Sequence, residues 1–404
     1  MQVSSLLETV LPLQGWSVVD VEFREEEREL RVRLEPSRRS ALCSSCGAAR
    51  RRYHDHAGER RWRAQDAFGV RTVLTARLRR VDCRQCGIRV EAVPWARPGS
   101  RYAKALEREI VEMARHASLL AVSRHFRLGW KAVYGIVRRL VTEALARKRW
   151  RLRRIGVDEV SYGRGQSKYL TIVYDHERSE VVWVGEGRER ETLDRFFAEL
   201  GERRARRIEV VTLDMAQGYI ASVKESAPQA ELVFDRFHIE RHLTEAVNEV
   251  RKREFWRQGG RMRELVRGKK WLLLKRRSRI HWRHRRPLDE LLRLNRLLAK
   301  AYLLKEDFAQ LWSYRSRGGA ERFLADWTDA LRWSRLEPLH RFAKMLWEHF
   351  EGVLSYATWP LSNGALEGNN SRIRGLSHRA RGYRNKANLI LAIFHCCGKL
   401  SFEG

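Results

Sequence analysis

The sequence predicts a multidomain α+β protein: an N-terminal cysteine ribbon, a helical pair, a mixed α/β domain, and a long all-α stretch after its last strand. Three observations predict this order. Two C-x-x-C-G units stand near the N-terminus, separated by 36 residues. Between residues 103 and 141 the apolar period turns helical around a Leu128-Gly129 break. From residue 155 to 235 short β-rich runs alternate with helical ones, and residues 239–356 hold no convincing strand.

Charge bounds the partner. The 404 residues carry 81 Lys and Arg against 50 Asp and Glu, a net charge of +31. A hydrophobic fraction of 43% supplies real cores, which excludes a disordered basic tail. No apolar run approaches the ~20 residues of a membrane span. The opening MQVSSLLETVLPLQGW lacks the basic n-region and small-residue cleavage site of a signal peptide. A soluble, cytoplasmic, nucleoid-associated protein is expected, with nucleic acid as its polyanion.

The first element is the ribbon. Cys43-Ser-Ser-Cys46-Gly and Cys83-Arg-Gln-Cys86-Gly each let one tight turn aim two thiolates at a tetrahedral ion. One structural Zn²⁺ is predicted on Cys43, Cys46, Cys83 and Cys86. The alternating RTVLTARLRR at 71–80 fits a hairpin strand between the knuckles. His54 and His56 also lie between the knuckles, and four cysteines leave them unneeded, so they read as surface or DNA-facing. Cys396 and Cys397 sit in an apolar helical stretch and read as core.

The second element is helical. Residues 103–117, 119–127 and 130–141 have helical spacing, with Leu120, Val122, Phe126, Val133, Ile136, Val137 and Leu140 as the apolar stripe. Two helices joined by a short Gly-containing turn predict a helix-turn-helix whose second helix enters a major groove. Lys131, Tyr134, Arg138 and Arg139 would face DNA.

The third element changes grammar after the basic linker RKRWRLRR at 147–154. Strands are expected at 155–160, 168–175, 180–186, 208–214 and 231–235, and helices at 191–203 and 216–227. Gly163, Gly165 and residues 176–179 supply turns. The order β-β-β-α-β-α-β gives three meandering strands, then parallel crossovers: a mixed sheet with helices on both faces. Asp158 interrupts the first strand and Asp214 closes the fourth. As parallel neighbours these strands bring both carboxylates to one edge, where they repel unless a divalent cation such as Mg²⁺ neutralises them. A third acid is then sought. In WPLSNGALEGNNSRIR, Ser362 or Asn363 can cap a helix carrying Glu367, with Asn370 and Arg374 on the same face beside phosphates.

Asp158 in IGVDEV, Asp214 in VVTLDMAQGY, the FDRFH of 234–238 and Glu367 in SNGALEGNNSRIR together resemble the DDE transposases of bacterial insertion sequences, most closely the ISL-three family. The resemblance runs from Cys43 to about residue 390, in the family's order. It implies a zinc ribbon (1–96), a helix-turn-helix with basic linker (97–150), an RNase H-like catalytic core (151–238 and 357–404) and a helical insertion (239–356). The 153 residues between Asp214 and Glu367 leave room for that insertion.

The resemblance further implies metal-dependent nicking of DNA ends at terminal inverted repeats and joining of the 3′-OH to target DNA. Two Mg²⁺ or Mn²⁺ ions would be held by Asp158, Asp214 and Glu367. Strand alternation lets only one of Asp158 and Glu159 face them, and the resemblance favours Asp158. Asp235 and His238 lie on the same edge as possible accessories. Synapsis of two ends implies a homodimer on double-stranded DNA.

Within the insertion, residues 251–286 carry 16 Lys and Arg against Glu254 and Glu264, a net +14, with Lys269, Lys270, Arg276 and Arg277 as candidate backbone contacts. Interleaved Trp256, Trp271 and Trp282 suit stacking or wedging at unpaired bases near a cleavage site, but core packing is expected for most of the insertion's tryptophans, which also include Trp312, Trp327, Trp333 and Trp347. The alternatives are a sequence-specific DNA-binding regulator without catalysis, or an RNase H-like structure-specific nuclease.

Overall fold

The computed structural model describes residues 13–162, 169–257, 266–361, 363–380 and 385–402, with Thr9, Glu264 and Tyr383 besides; the side chains of residues 365 and 367 fall outside it. So do Gly163, Gly165, Lys168 and Ser362. The chain divides into two compact units, Met1–Arg147 with Leu400–Gly404, and Lys148–Lys399. Among the described residues no helix is long and apolar enough to cross a membrane.

In the first unit, strands β1 (Trp16–Arg24), β2 (Glu29–Pro36), β5 (Tyr53–Arg63), β6 (Arg71–Cys83) and β7 (Gly87–Val90) form one sheet. Its order is β1-β2-β6-β5, with β7 also on β6. The small hairpin β3 (Ala41–Leu42) and β4 (Ala49–Arg50) stands apart. β6 extends the expected strand through Cys83 and pairs in parallel with β2. β1 and β2 lie outside the sequence reading. Their inward residues Trp16, Val32 and Leu34 join Trp62, Leu74 and Trp95 in the core. Trp95 meets Trp16 and Trp62 edge-on, with ring centroids 5.0 and 5.4 Å away.

Helices α1 (Lys104–His116), α2 (Leu119–His125) and α3 (Trp130–Arg147) follow. Ser118 caps α2 by accepting from the Ala121 N–H at 3.2 Å. The turn closes when the Ser123 hydroxyl donates to the Leu128 carbonyl at 2.7 Å. Val122, Phe126, Val133, Ile136, Val137 and Leu140 are buried as the stripe predicts. Leu120 is not: it is 51% exposed, because Val122 and Phe126 already fill the inward face of this short helix.

The second unit is built on strands β8 (Arg154–Ser161), β9 (Tyr169–Asp175), β10 (Glu180–Glu186), β11 (Val210–Leu213) and β12 (Glu231–Phe234), in the order β10-β9-β8-β11-β12. The first three strands meander antiparallel, and β11 runs parallel to both β8 and β12. This is the expected meander followed by parallel crossovers. Helices α4 (Arg190–Leu200) and α5 (Gln217–Ser226) supply the crossovers. Strand alternation feeds two cores. Ile155 and Val157 of β8 join one with Phe196, Tyr219 and Val223. Val160 joins the other with Leu366, Ile373 and Leu376.

Helix α6 (Arg236–Arg257) leaves the sheet edge directly. Helices α7 (Lys270–Leu274), α8 (Arg285–Leu294), α9 (Arg296–Phe308), α10 (Arg317–Asp329), α11 (Glu337–Glu348) and α12 (Phe350–Thr358) follow, without a strand among the described residues. The apolar run at 287–304 reads as one helix but is two, because Asn295 interrupts it. Its side chain accepts from the Leu298 N–H at 2.9 Å and donates to the buried Glu254 at 2.9 Å. Only two of the seven tryptophans pack as expected. Trp312 and Trp327 surround Phe308, while Trp256, Trp271, Trp282, Trp333 and Trp347 are exposed. The insertion's helices are short and charged, so Leu and Phe suffice to fill between them. The chain returns to the sheet as α13 (Gly364–Arg379) and α14 (Lys386–Cys397), where Cys397 is buried and Cys396 half-buried.

Candidate active site and metal centre

The four knuckle cysteines converge. Cys43 and Cys46 come from the β3–β4 hairpin, Cys83 ends β6 and Cys86 precedes β7. Their sulfurs all lie within 4.8 Å of one another, the one such group of possible ligands among the described residues. Gly47 and Gly87 have φ of +72° and +70°. That left-handed turn is what a glycine after each pair permits. Backbone N–H groups of Cys46 and Ser45 hold the Cys43 thiol below its ordinary value. Those of Gln85 and Cys86 bring Cys83 down to about 6. Cys86 is pushed up to about 12, chiefly by its hydrogen bond with Cys46. Four crowded sulfurs cannot all be thiolates without a cation among them. The donor set fits one tetrahedral Zn²⁺. His54 and His56 stand on β5 outside the group; His54 lies 3.3 Å from Asp55 instead.

A second constellation forms around Asp158 in β8, where β11 and β12 end. The parallel register pairs Thr212 with Gly156, so Asp214 comes level with Asp158 at one edge, as the strand order predicts. Asp158 shares the face of Val160 and α13. Its carboxylate accepts from the Glu159 N–H at 2.8 Å and from the Asn370 amide at 2.7 Å. Burial pushes its pKa up, and those hydrogen bonds and His238 oppose the rise. Glu159 points the other way, toward Tyr219 and Arg188. Burial and then the charge of Asp214 push it up to about 7. Asp214 closes the turn that leads into α5, accepting from the Ala216 N–H at 3.1 Å.

Asp235 closes the edge on the far side. It is 2% exposed, and burial raises its pKa. His238 Nε2 bridges the pair, 3.9 Å from Asp158 and 3.8 Å from Asp235. One oxygen of Asp235 accepts from the Asn363 N–H at 3.3 Å, while the other is buried without a hydrogen bond. A desolvated carboxylate oxygen at a carboxylate-rich edge fits a site built to receive a cation.

The sequence reading missed how α13 is held. The Thr212 hydroxyl donates to Asn363 Oδ1 at 2.6 Å. Its single proton is thereby spent, so His176 Nε2, also 2.6 Å away, must be the donor to it. Burial lowers His176 to about 4, which keeps the ring neutral. Gly156 makes the approach possible: a Cβ there would stand 2.6 Å from Leu366 and 2.9 Å from His176. Asn363 anchors the start of α13 and Asn370 anchors it seven residues on, with the backbone of Glu367 between them. The Glu367 side chain lies outside the described residues. A polar Thr inside VVTLD and a Gly inside IGVD were the available signals.

The expected DNA contacts divide. Lys131, Arg138, Lys270 and Arg374 are exposed, Lys269 is half-buried, and Tyr134 stacks on Trp130 at 5.2 Å. Four others already have partners within the chain. Arg139 binds the buried Glu107 at 2.5 Å, Arg276 binds Glu240 at 2.6 Å and Arg277 binds Asp289 at 2.7 Å. Asn370 is 3% exposed and spends its amide on Asp158 rather than on a phosphate.

Comparison with known proteins covers both regions. Residues 39–86 match a zinc-finger of transposase IS204/IS1001/IS1096/IS1165, residues 91–141 the helix-turn-helix domain of transposase family ISL3, and residues 155–393 the DDE transposase domain of ISL3. The chain is 32% identical over 394 residues to the transposase for insertion sequence element IS1001 of Bordetella parapertussis, covering 96% of this chain and 97% of the relative. It is 31% identical over 405 residues to the transposase for insertion sequence element IS1557 of Mycobacterium tuberculosis, at 92% and 90% coverage. A zinc knuckle, a helix-turn-helix and an acid edge in this order, matched over more than half the chain, place it in the ISL3 family of DNA transposases.

Proposed function

We propose that this transposase nicks the ends of its element by phosphodiester hydrolysis and joins the freed 3′-OH to target DNA, with Asp158, Asp214 and Glu367 as the catalytic acids. The observation that carries this reading is the β8–β11 register, which sets Asp158 and Asp214 level at one edge, beside the helix that carries Glu367. Mg²⁺ or Mn²⁺ held by these acids supplies Lewis-acid activation of the attacking oxygen and charge neutralisation on the leaving one. Asn370 and the Glu159 N–H orient Asp158 so that its free lone pairs face the edge. His238 and Asp235 are accessories there, the imidazole offering a proton or a phosphate contact. No covalent enzyme intermediate is required.

In this reading residues 1–96 and 97–150 recognise terminal inverted repeats, and Lys131, Tyr134 and Arg138 read the groove. Residues 151–238 and 357–404 form the RNase H-like core, and 239–356 hold DNA near the cut through Lys269, Lys270 and the neighbouring cations. Two ends require a homodimer on DNA, in the cytoplasm and at the nucleoid. The test is cleavage of labelled element ends with Mg²⁺ or Mn²⁺. Asp214→Asn should abolish cutting and joining while end binding persists. Binding without cutting in the wild type would favour a regulator, and cutting without joining a nuclease.

A further inference from the structure

The insertion opens, beside the acids, on a pocket that end cleavage alone does not use. The Phe237 ring meets His238 edge-on at 6.1 Å, and His238 stands 3.9 Å from Asp158. Phe237 also lines a cavity of about 480 Å³ between α6, α7 and α9. Trp271 lines it too, with the buried Leu243 and Phe308. Both aromatic rings are exposed, Phe237 by 54% and Trp271 by 63%. Six cations line the same cavity against only Glu240 and Glu245. Of these, Arg241, Lys270, Lys275 and Arg279 are exposed, and the Lys270 ammonium sits 4.8 Å over the Trp271 ring.

Each half of this lining points to the same ligand. Aromatic faces left in water are an energetic cost that stacking on another flat ring removes. Cations around them match phosphates on either side of that ring. An acidic peptide would satisfy the cations but leave the aromatic plates unused. A paired base is already stacked inside its duplex. We propose that the pocket takes one unpaired nucleobase of the DNA strand held at the acids. Phe237 and Trp271 supply the stacking faces, and Lys270, Lys275 and Arg279 receive the flanking phosphates. The proposal rests on the DNA-cleaving reading above and adds that the strand is opened beside the cut.

The full chain, zinc-loaded and without Mg²⁺, tests it by fluorescence anisotropy. One labelled hairpin duplex carries a single unpaired thymidine; its twin carries an abasic residue at that place. Stacking of one base on protein aromatics predicts roughly five- to tenfold tighter binding of the thymidine hairpin. Phe237→Ala and Trp271→Ala should each bring that ratio close to one, and Trp271→Phe should keep most of it. Affinity for an unbulged duplex should stay put, because no charge is removed. Both rings are exposed, so neither change opens a core cavity. Equal binding of the two hairpins by the wild type, or a ratio intact in both alanine variants, overturns the pocket. A wild type that binds no hairpin at all overturns the DNA-cleaving reading itself.

Discussion

Thr212→Val isolates the tether of α13. Valine matches threonine in shape, so packing around this fully buried position is kept. What is lost is the hydroxyl between His176 and Asn363, each 2.6 Å away. The change strands a buried imidazole N–H and a buried amide oxygen. Each unmade bond costs about 1–3 kcal/mol, so a loss near 3 kcal/mol is expected. In a unit of some 250 residues, ~2–4 °C per kcal/mol translates this into a fall of about 6–12 °C in Tm. The start of α13 then loosens, and the metal concentration for half-maximal end cleavage should rise while end binding stays unchanged. Thr212→Ser keeps the hydroxyl and should restore both the metal requirement and most of the stability, losing only about 1 kcal/mol for a buried methyl. Calorimetry and a Mn²⁺ titration of cleavage read the two effects. A valine variant that melts within about 2 °C of wild type and cuts at the same Mn²⁺ would refute the tether.

Gly156→Ala should destabilise the same unit by about 1–3 kcal/mol, because the new methyl collides with Leu366 and His176; chemical denaturation measures it. Protonation of His176 supplies a pH test. Its folded pKa is lowered from 6.5 to about 4, so the unfolded chain takes the proton first and stability falls as pH drops from 6.5 toward 4. The full loss is about 3 kcal/mol, and His176→Asn should flatten that limb of a stability–pH curve. Asn370→Ala removes the amide bond to Asp158 and should cut the cleavage rate about tenfold with end binding intact, in single-turnover kinetics. Stripping zinc should release one ion per chain, read by a colorimetric chelator, and should abolish end binding by unfolding the knuckles, since structural zinc carries roughly 10–16 kcal/mol of apparent binding free energy.

How far the fold was legible depends on how local its cause was. The knuckles were legible because C-x-x-C-G fixes two ligands and a left-handed turn within five residues. β8 through β12 were legible because their apolar runs are short and bounded by turn chemistry. β1 and β2 were not read, although Val21 and Phe23, then Leu30, Val32 and Leu34, alternate with charges as a half-buried strand requires. Asn295 was invisible inside an apolar run because its cap depends on Glu254, 41 residues earlier. At the site, Asp158 and Asp214 followed from strand order. The partners that orient them did not: Asn370 reaches Asp158 across 212 residues of sequence, and Thr212 reaches Asn363 across 151. Spacing along α13 placed Asn370 on the right face, but only the fold shows that this face is turned to a carboxylate and not to DNA.

The net charge of +31 is better read after its internal debts are subtracted. Arg276 and Arg277 pair with the part-exposed Glu240 and Asp289, whereas Arg79, 6% exposed, spends its guanidinium on buried Glu91 at 2.7 Å, and Arg139 does the same for buried Glu107. Such arginines fix the architecture, because a buried carboxylate left alone would cost several kcal/mol. They offer little to a phosphate. The exposed cations left over include Lys131 and Arg138 on α3, and Lys270, Lys275 and Arg279 around α7. Removing one of the free set should lower DNA affinity and flatten its salt dependence by about one counterion. Removing Arg139 should instead lower the melting temperature of the first unit. Lys270→Gln and Arg139→Gln, compared in one salt titration and one melt, therefore separate the charge that grips DNA from the charge that builds the protein.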